Sequence, residues 1–335
     1  MRHPACPKQM IFGPCGGVRP TGDCEVMEGQ PCVFLDMPLT LWGDAVGPEP
    51  EGGAAPLPLG QEPFIITDLH VRPRHLDSLR DVARRLQGSC AAVLVGDHGG
   101  ARNDFPPSLV AGALLEEGVT PWVTLSCRDR NRVALAAECA ALAELGVAGV
   151  HCVTGDWQGV AGGMGETKVF DLDGLRLVDL ARRHGLTVSV AAAPAAPPVD
   201  RRAARLAEKV KAGAQLCLVN HAGGPVPVGR FVAQARDLGA TIPFVPCVPF
   251  LTDPASVRML ASLPGLVLDP ASLEGGDMAV AVLEAEAMLA IEGVIGVNLS
   301  GSASMASELD SAELMAELGR RIRSFGPQER SNPRG

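Results

Sequence analysis

The chain has 335 residues, 47% of them apolar, and a formal net charge of −9, enough for one large buried core with a small appendage. Arg and Lys are scattered among more numerous carboxylates, so the concentrated basic face that nucleic acid needs is not expected. With no run of about 18 apolar residues and no basic-plus-apolar leader, neither a membrane span nor a signal peptide is expected, and the expected location is cytoplasmic.

Residues 1–45 carry Cys6, Cys15, Cys24 and Cys32 in CPKQMIFGPCGGVRPTGDCEVMEGQPC. Loops of eight, eight and seven residues, rich in Gly and Pro, separate these thiols. They can therefore converge on one metal centre, although no CxxC knuckle is present. A segment this small builds little apolar core, so a metal would supply much of its folding energy. Zinc and a [4Fe–4S] cluster both accept four thiolates. Gly16 and Gly17 would admit backbone N–H groups to sulfur, and Pro7 follows Cys6 as in cluster loops, which leans the reading slightly towards iron–sulfur. Residues 46–63 crowd Pro and Gly and read as a linker.

In the body, residues 64–325, short apolar runs bounded by Gly, Pro or Asp predict strands at 64–68, 91–95, 120–125, 149–153, 186–192, 215–219, 242–248 and 293–299. Helical periodicity predicts helices near 75–87, 107–117, 131–145, 172–184, 200–212, 229–238, 277–291, the last after a shorter turn at 254–262, and 308–324. That rhythm is a (β/α)8 barrel of the TIM type. The glycine-rich run Gly159 to Gly165 comes too late after its strand to be a dinucleotide fingerprint and reads as a mobile loop. Residues 326–335 read as a disordered tail. Cysteines 90, 127, 139, 152, 217 and 247 lie in strands or on apolar helix faces and read as core, Cys247 least securely.

Two polar clusters stand at the ends of neighbouring strands: SCRDRNR at 126–132, and VTGD at the close of GVAGVHCVTGD, 146–156. Loops at the carboxyl ends of parallel strands are where such folds place ligand chemistry. This pair resembles the methylenetetrahydrofolate reductase family, in particular a bacterial branch with an RDRN loop. The likeness continues through KVFDLD (168–173), KVKAGA (209–214) and GVNL (296–299), and spans most of residues 62–325. The four-cysteine segment is similar to a small module that accompanies some of these reductases, usually at the other end of the chain or on a partner subunit.

The resemblance implies an oxidoreductase acting on CH–NH or C=N groups, with a flavin across the strand ends, FAD rather than FMN. NAD(P)H or a ferredoxin-like protein would feed electrons, the latter through the cysteine centre, and a homo-oligomer is expected. Asp156 matches the aspartate near the flavin's pyrimidine edge; Thr154 and Gly155 match residues that bring backbone up to the ring. Lys209 matches a lysine that meets the flavin phosphates. Asp97 and His98 match a loop beside the flavin, and Thr124 and Arg128 are further cofactor contacts. Taken alone, an Asp after a strand is more often a cap or turn former, Lys209 a solvated helix face, and the RDRN arginines partners for their own loop.

Two positions depart from the family. Asp68 stands where the family has a general-acid glutamate, and Asn220 where it has a glutamine that contacts folate. Each is one methylene short. Asp68 could act through a water, and His70 is an alternative proton carrier, though a rim histidine more simply hydrogen-bonds. Three functions follow: a flavin-dependent folate reductase; a sister flavoenzyme acting on another C=N or N–N substrate; and a non-flavin subunit or partner of a methyl-transfer complex.

Overall fold

The computed structural model describes residues 3–45, 62–96, 104–156, 168–263, 265–273, 276–301 and 307–325. The strands are β1 (Phe64–Asp68), β2 (Ala92–Val95), β3 (Pro121–Ser126), β4 (Gly149–Val153), β5 (Val188–Ala192), β6 (Leu216–Val219), β7 (Phe244–Pro249) and β8 (Gly296–Ser300). Each pairs in parallel with the next, and β8 returns to β1, closing a TIM-type barrel. The helices are α1 (Trp42–Ala45), α2 (Leu76–Leu86), α3 (Pro107–Glu116), α4 (Arg132–Leu145), α5 (Gly174–Arg183), α6 (Arg202–Lys211), α7 (Pro225–Asp237), α8 (Pro254–Ala261), α9 (Pro270–Leu273), α10 (Met278–Leu289) and α11 (Glu308–Arg323). Among the described residues, no helix is long and apolar enough to cross a membrane.

Successive side chains on a strand face opposite sides, so the barrel sorts its residues by parity. Phe64, Ile66, Ala92, Trp122, Leu216, Leu218 and Val245 form one apolar cluster at the inward positions. Their neighbours Ile65, Val93, Val123, Cys217 and Val297 join the larger core against the helices. The same parity puts Asp68, two residues after Ile66, at an inward position on the strand's carboxyl end.

Helix starts follow local chemistry. The Asn131 side chain accepts from Ala134 N at 2.9 Å and begins α4; Asp173 accepts from Arg176 N at 3.1 Å and begins α5. Helix α7 starts at Pro225, ahead of the predicted 229. Its prolines fall in the first turn, where backbone N–H groups lack intrahelical partners anyway.

The N-terminal module is mostly turns with one antiparallel bridge, Asp23 to Pro31. Its Met10, Phe12, Val18, Phe34 and Trp42 are buried. Phe12 meets Trp42 at 5.3 Å between ring centroids, and both belong to the barrel's own core cluster. The module is thus less separate than its sequence implies, because it completes its small core with the barrel's apolar surface. Arg202 of α6 donates to Cys15 O at 2.8 Å, Ile11 N donates to Asp173 Oδ2 at 3.3 Å, and Trp42 N donates to the Glu208 carboxylate. The expected linker, 46–63, falls largely outside the described residues, as do the glycine-rich loop and the C-terminal tail.

Candidate functional site at the strand ends

A cavity of about 340 Å³ opens at the carboxyl ends of the strands. Asp68, Thr124, Arg128, Thr154, Gly155, Asp156, Lys209 and Asn220 all line it, which brings together the described barrel residues that the sequence offered as catalytic or cofactor-binding groups, His70 excepted. Asp97 and His98 lie outside the described residues. His70 is half-buried and is not part of the cavity's described lining.

Asp68 accepts from Gly301 N at 2.9 Å and from Asn298 Nδ2 at 3.0 Å. Burial raises its pKa to about 6, against the lowering effect of those two donors. Asn298 came into the sequence reading only as part of GVNL; here it lines the cavity, and its Oδ1 is buried without a hydrogen-bond partner. An amide holding the acid with one end and offering a bare acceptor with the other is the kind of polar pair a ligand completes.

The β4 end is built around Gly155. It has φ +92°, and a Cβ there would lie 2.2 Å from Ser126 Oγ and 2.8 Å from Arg128 Cβ. Only glycine fits. Thr154 Oγ1 accepts from Gly174 N at 3.3 Å at the start of α5. Arg128 meets its own surroundings, pairing with Asp129 and donating to Asp156 O at 3.5 Å. Asp156 sits accessible on the rim; desolvation by the protein around it raises its pKa, and the Lys8 charge opposes that rise. Groups lining a cavity keep accessible surface while bulk water is scarce around them, so burial shifts their pKa values all the same.

Helix α6 supplies a cationic wall. Lys209 donates to Ala191 O. Burial lowers its pKa to about 7, helped by the Arg205 charge. Arg205, four residues earlier and so on the same helix face, is buried with Nε and Nη1 lacking hydrogen-bond partners. The sequence reading missed Arg205. Its signal was present in the spacing to Lys209, which a solvated amphipathic helix also produces. His151, neutral at a pKa of about 3 through burial and the Lys209 charge, shares a hydrogen bond with Ser189 Oγ at 2.8 Å. Of the remaining cysteines, Cys90 is half-buried and the other five are buried, with Cys152 and Cys247 lining the cavity.

Above the cavity, Cys6, Cys15, Cys24 and Cys32 line one small void of about 20 Å³. All four are half-buried free thiols. No group of three His, Cys, Asp or Glu side chains among the described residues already stands at metal-holding spacing; the thiols converge without meeting at one point. Gly17 was expected to admit backbone N–H groups to sulfur. Its N–H does hydrogen-bond to the Cys15 sulfur, and the missing Cβ also makes room for a carboxylate, since a Cβ there would lie 2.0 Å from Glu25 Oε1. Lys8, Met10 and Cys15 line both this void and the large cavity.

A closed parallel barrel with a cavity at its strand ends, walled by carboxylates, amides and buried cations, is the architecture of a small-molecule barrel enzyme. The family described as "Methylenetetrahydrofolate reductase" matches residues 73–274, and the one described as "Methylene-tetrahydrofolate reductase C terminal" matches residues 2–41. The chain belongs to the methylenetetrahydrofolate reductase family, a family of oxidoreductases, and carries at its N-terminus a module described from the other end of such chains. No curated protein matches. Among solved structures, an uncharacterized protein from Clostridium thermocellum, described as binding two copies of 5-methyl-5,6,7,8-tetrahydrofolic acid, is similar at 11% identity with a TM-score of 0.54, covering 79% of this chain and 96% of that one. An oxaloacetate acetylhydrolase is similar at 14% identity and TM-score 0.43, covering 81% and 95%.

Proposed function

We propose that the chain is a flavin-dependent reductase of the methylenetetrahydrofolate type. The observation that carries this reading is the convergence of eight described barrel candidates on one cavity. The folate described in the Clostridium thermocellum barrel is consistent with a folate here. The residues fit a phosphorylated, ring-bearing cofactor: Arg205 keeps buried donors without partners beside Lys209, and a phosphate would satisfy them and return Lys209 to its charged form. When bound, the flavin, FAD in preference to FMN, supplies the hydride that passes to the folate methylene carbon. Asp156 sets the electrostatics at the cofactor's edge. Asp68 holds a proton at its carboxyl and delivers it to the folate nitrogen as the bridged ring opens. Asn220 orients the substrate.

The four thiols have the donor chemistry of a zinc or iron–sulfur centre. They share Lys8, Met10 and Cys15 with the cavity wall, which favours electron entry from a ferredoxin-like protein over NAD(P)H. An anaerobic absorption spectrum with metal analysis tests flavin and metal together.

A second reading, a sister flavoenzyme for another C=N or N–N compound, draws on the fact that both shortened side chains, Asp68 and Asn220, face the same cavity. Steady-state turnover of methylenetetrahydrofolate by wild type, Asp68→Glu, Asn220→Gln and the double variant separates the two. For a folate reductase, the longer groups keep or improve turnover. In a pocket rebuilt for another substrate they overpack it, at about 1–3 kcal/mol. No folate turnover in any of the four, with flavin bound and a competent donor supplied, would overturn the first reading.

A further inference from the structure

One charged side chain in the cavity wall comes from outside the barrel. Lys8, on the N-terminal module, donates to Gly155 O at 2.6 Å and pairs with the Glu25 carboxylate. The two side chains are 3% and 1% exposed. The ammonium also lies 5.8 Å from the Phe170 ring centroid and interacts electrostatically with Asp156. An ion pair buried to this degree is costly unless its geometry and extra hydrogen bonds compensate. Here the extra acceptor is the backbone of the β4 turn, 147 residues away in sequence.

That turn has little freedom to begin with. Ser126 and Arg128 crowd Gly155 from the β3 side, so closely that no Cβ fits. Arg128 reaches the carbonyl of Asp156, and Lys8 that of Gly155. Successive carbonyls of one turn are therefore held by cations from two different parts of the chain, one of them the module that carries the thiols.

We propose that Lys8 is a positioning residue of the barrel site: the N-terminal module roofs the cavity, and its ammonium holds the Gly155–Asp156 turn so that the Asp156 carboxylate meets the bound cofactor in one orientation. The contact stands without any assumption about cofactor; its consequence for the flavin rests on the function proposed above. The competing account is that Lys8 serves only to neutralise Glu25. Replacing both partners separates the two, because Lys8→Met with Glu25→Gln removes the ion pair without leaving a buried charge behind.

The experiment compares wild type, Lys8→Arg and the double variant Lys8→Met/Glu25→Gln as full-length protein. Amide exchange of the peptide covering 150–156 is followed without added ligand, and the potential and turnover are measured on flavin-loaded protein. The double variant is expected to melt cooperatively, to exchange at 154–156 at least about tenfold faster, to shift the flavin potential and to lose about tenfold to a hundredfold in turnover. Lys8→Arg, which keeps the charge, is expected to retain most of each property. Wild-type exchange at 154–156 in the double variant would overturn the proposal, as would a wild-type potential together with wild-type turnover. A wild-type protein that binds no flavin would overturn the reductase reading alone, and exchange at 154–156 would still decide the role of Lys8.

Discussion

Asp68 shows how one side chain acquires chemistry from its position. On the sequence it is an aspartate where the family has a glutamate; in the barrel it is a desolvated acid with a pKa of about 6, held by Gly301 N and Asn298. If its protonated form is the active one, kcat/KM falls as pH rises through about 6. Asp68→Asn should abolish that limb of the pH–rate profile. Stability moves in the same direction. The folded state holds this proton more tightly than the unfolded chain, so the contribution is complete below pH 3.8 and is lost as pH rises through about 6. Melting temperatures from pH 3 to 7, wild type against Asp68→Asn, check the sign; a loss across that interval that is larger in wild type than in the variant is the expected result. Asn298 escaped the sequence reading because an Asn within a short apolar strand looks the same whether its amide is buried for packing or aimed into a site.

At the scale of elements, α6 is the clearest case of a pattern with two meanings. Its alternation of Arg, Ala, Leu and Lys is that of any helix with one wet face, and the sequence reading took Lys209 from family likeness alone. Folding turns that face inward over the strand ends, where Arg202 spends its donors on Ala196, Pro197 and Cys15 carbonyls while Arg205 keeps two nitrogens without partners. Arg205→Met should weaken flavin binding by about tenfold to a hundredfold, each tenfold corresponding to about 1.4 kcal/mol. The same change removes a buried and poorly paired guanidinium, so the melting temperature of the flavin-free protein should hold or rise. Titration by flavin fluorescence beside thermal melts measures both. An equal loss of affinity and stability would mean that Arg205 is structural.

At the scale of the molecule, the decisive relation is between the cysteine module and the barrel. Phe12 and Trp42 sit in the barrel's core, and Arg202 and Asp173 take hydrogen bonds from or to the module's backbone. If the four thiols hold a metal, replacing Cys24 or Cys32 by Ser should open the module's loops while the barrel persists, since each thiolate closes a loop with little else to hold it. Hydrogen exchange should show faster exchange in residues 3–45 and, through Lys8, at 154–156, with the rest of the barrel protected and metal content falling from near one centre per chain. Metal-free wild-type protein with the same protection would remove the metal from the account and leave the shared apolar core as what holds the module.

The sequence by itself determined the barrel. Short apolar runs bounded by Gly, Pro or Asp and periodicity along each helix are local properties of the chain, and they located the strands and the strand-end motifs with strand boundaries within three residues of those observed. Motif likeness was also enough to select Asp68, Asp156, Lys209 and Asn220, which one cavity then gathered. What only the tertiary structure decided is which distant groups face each other across that cavity: Asn298 against Asp68, Arg205 beside Lys209, and Lys8 on the carbonyl of Gly155. Such contacts depend on barrel closure and on a module docked over the strand ends, and no spacing along the chain encodes a distance that closure creates.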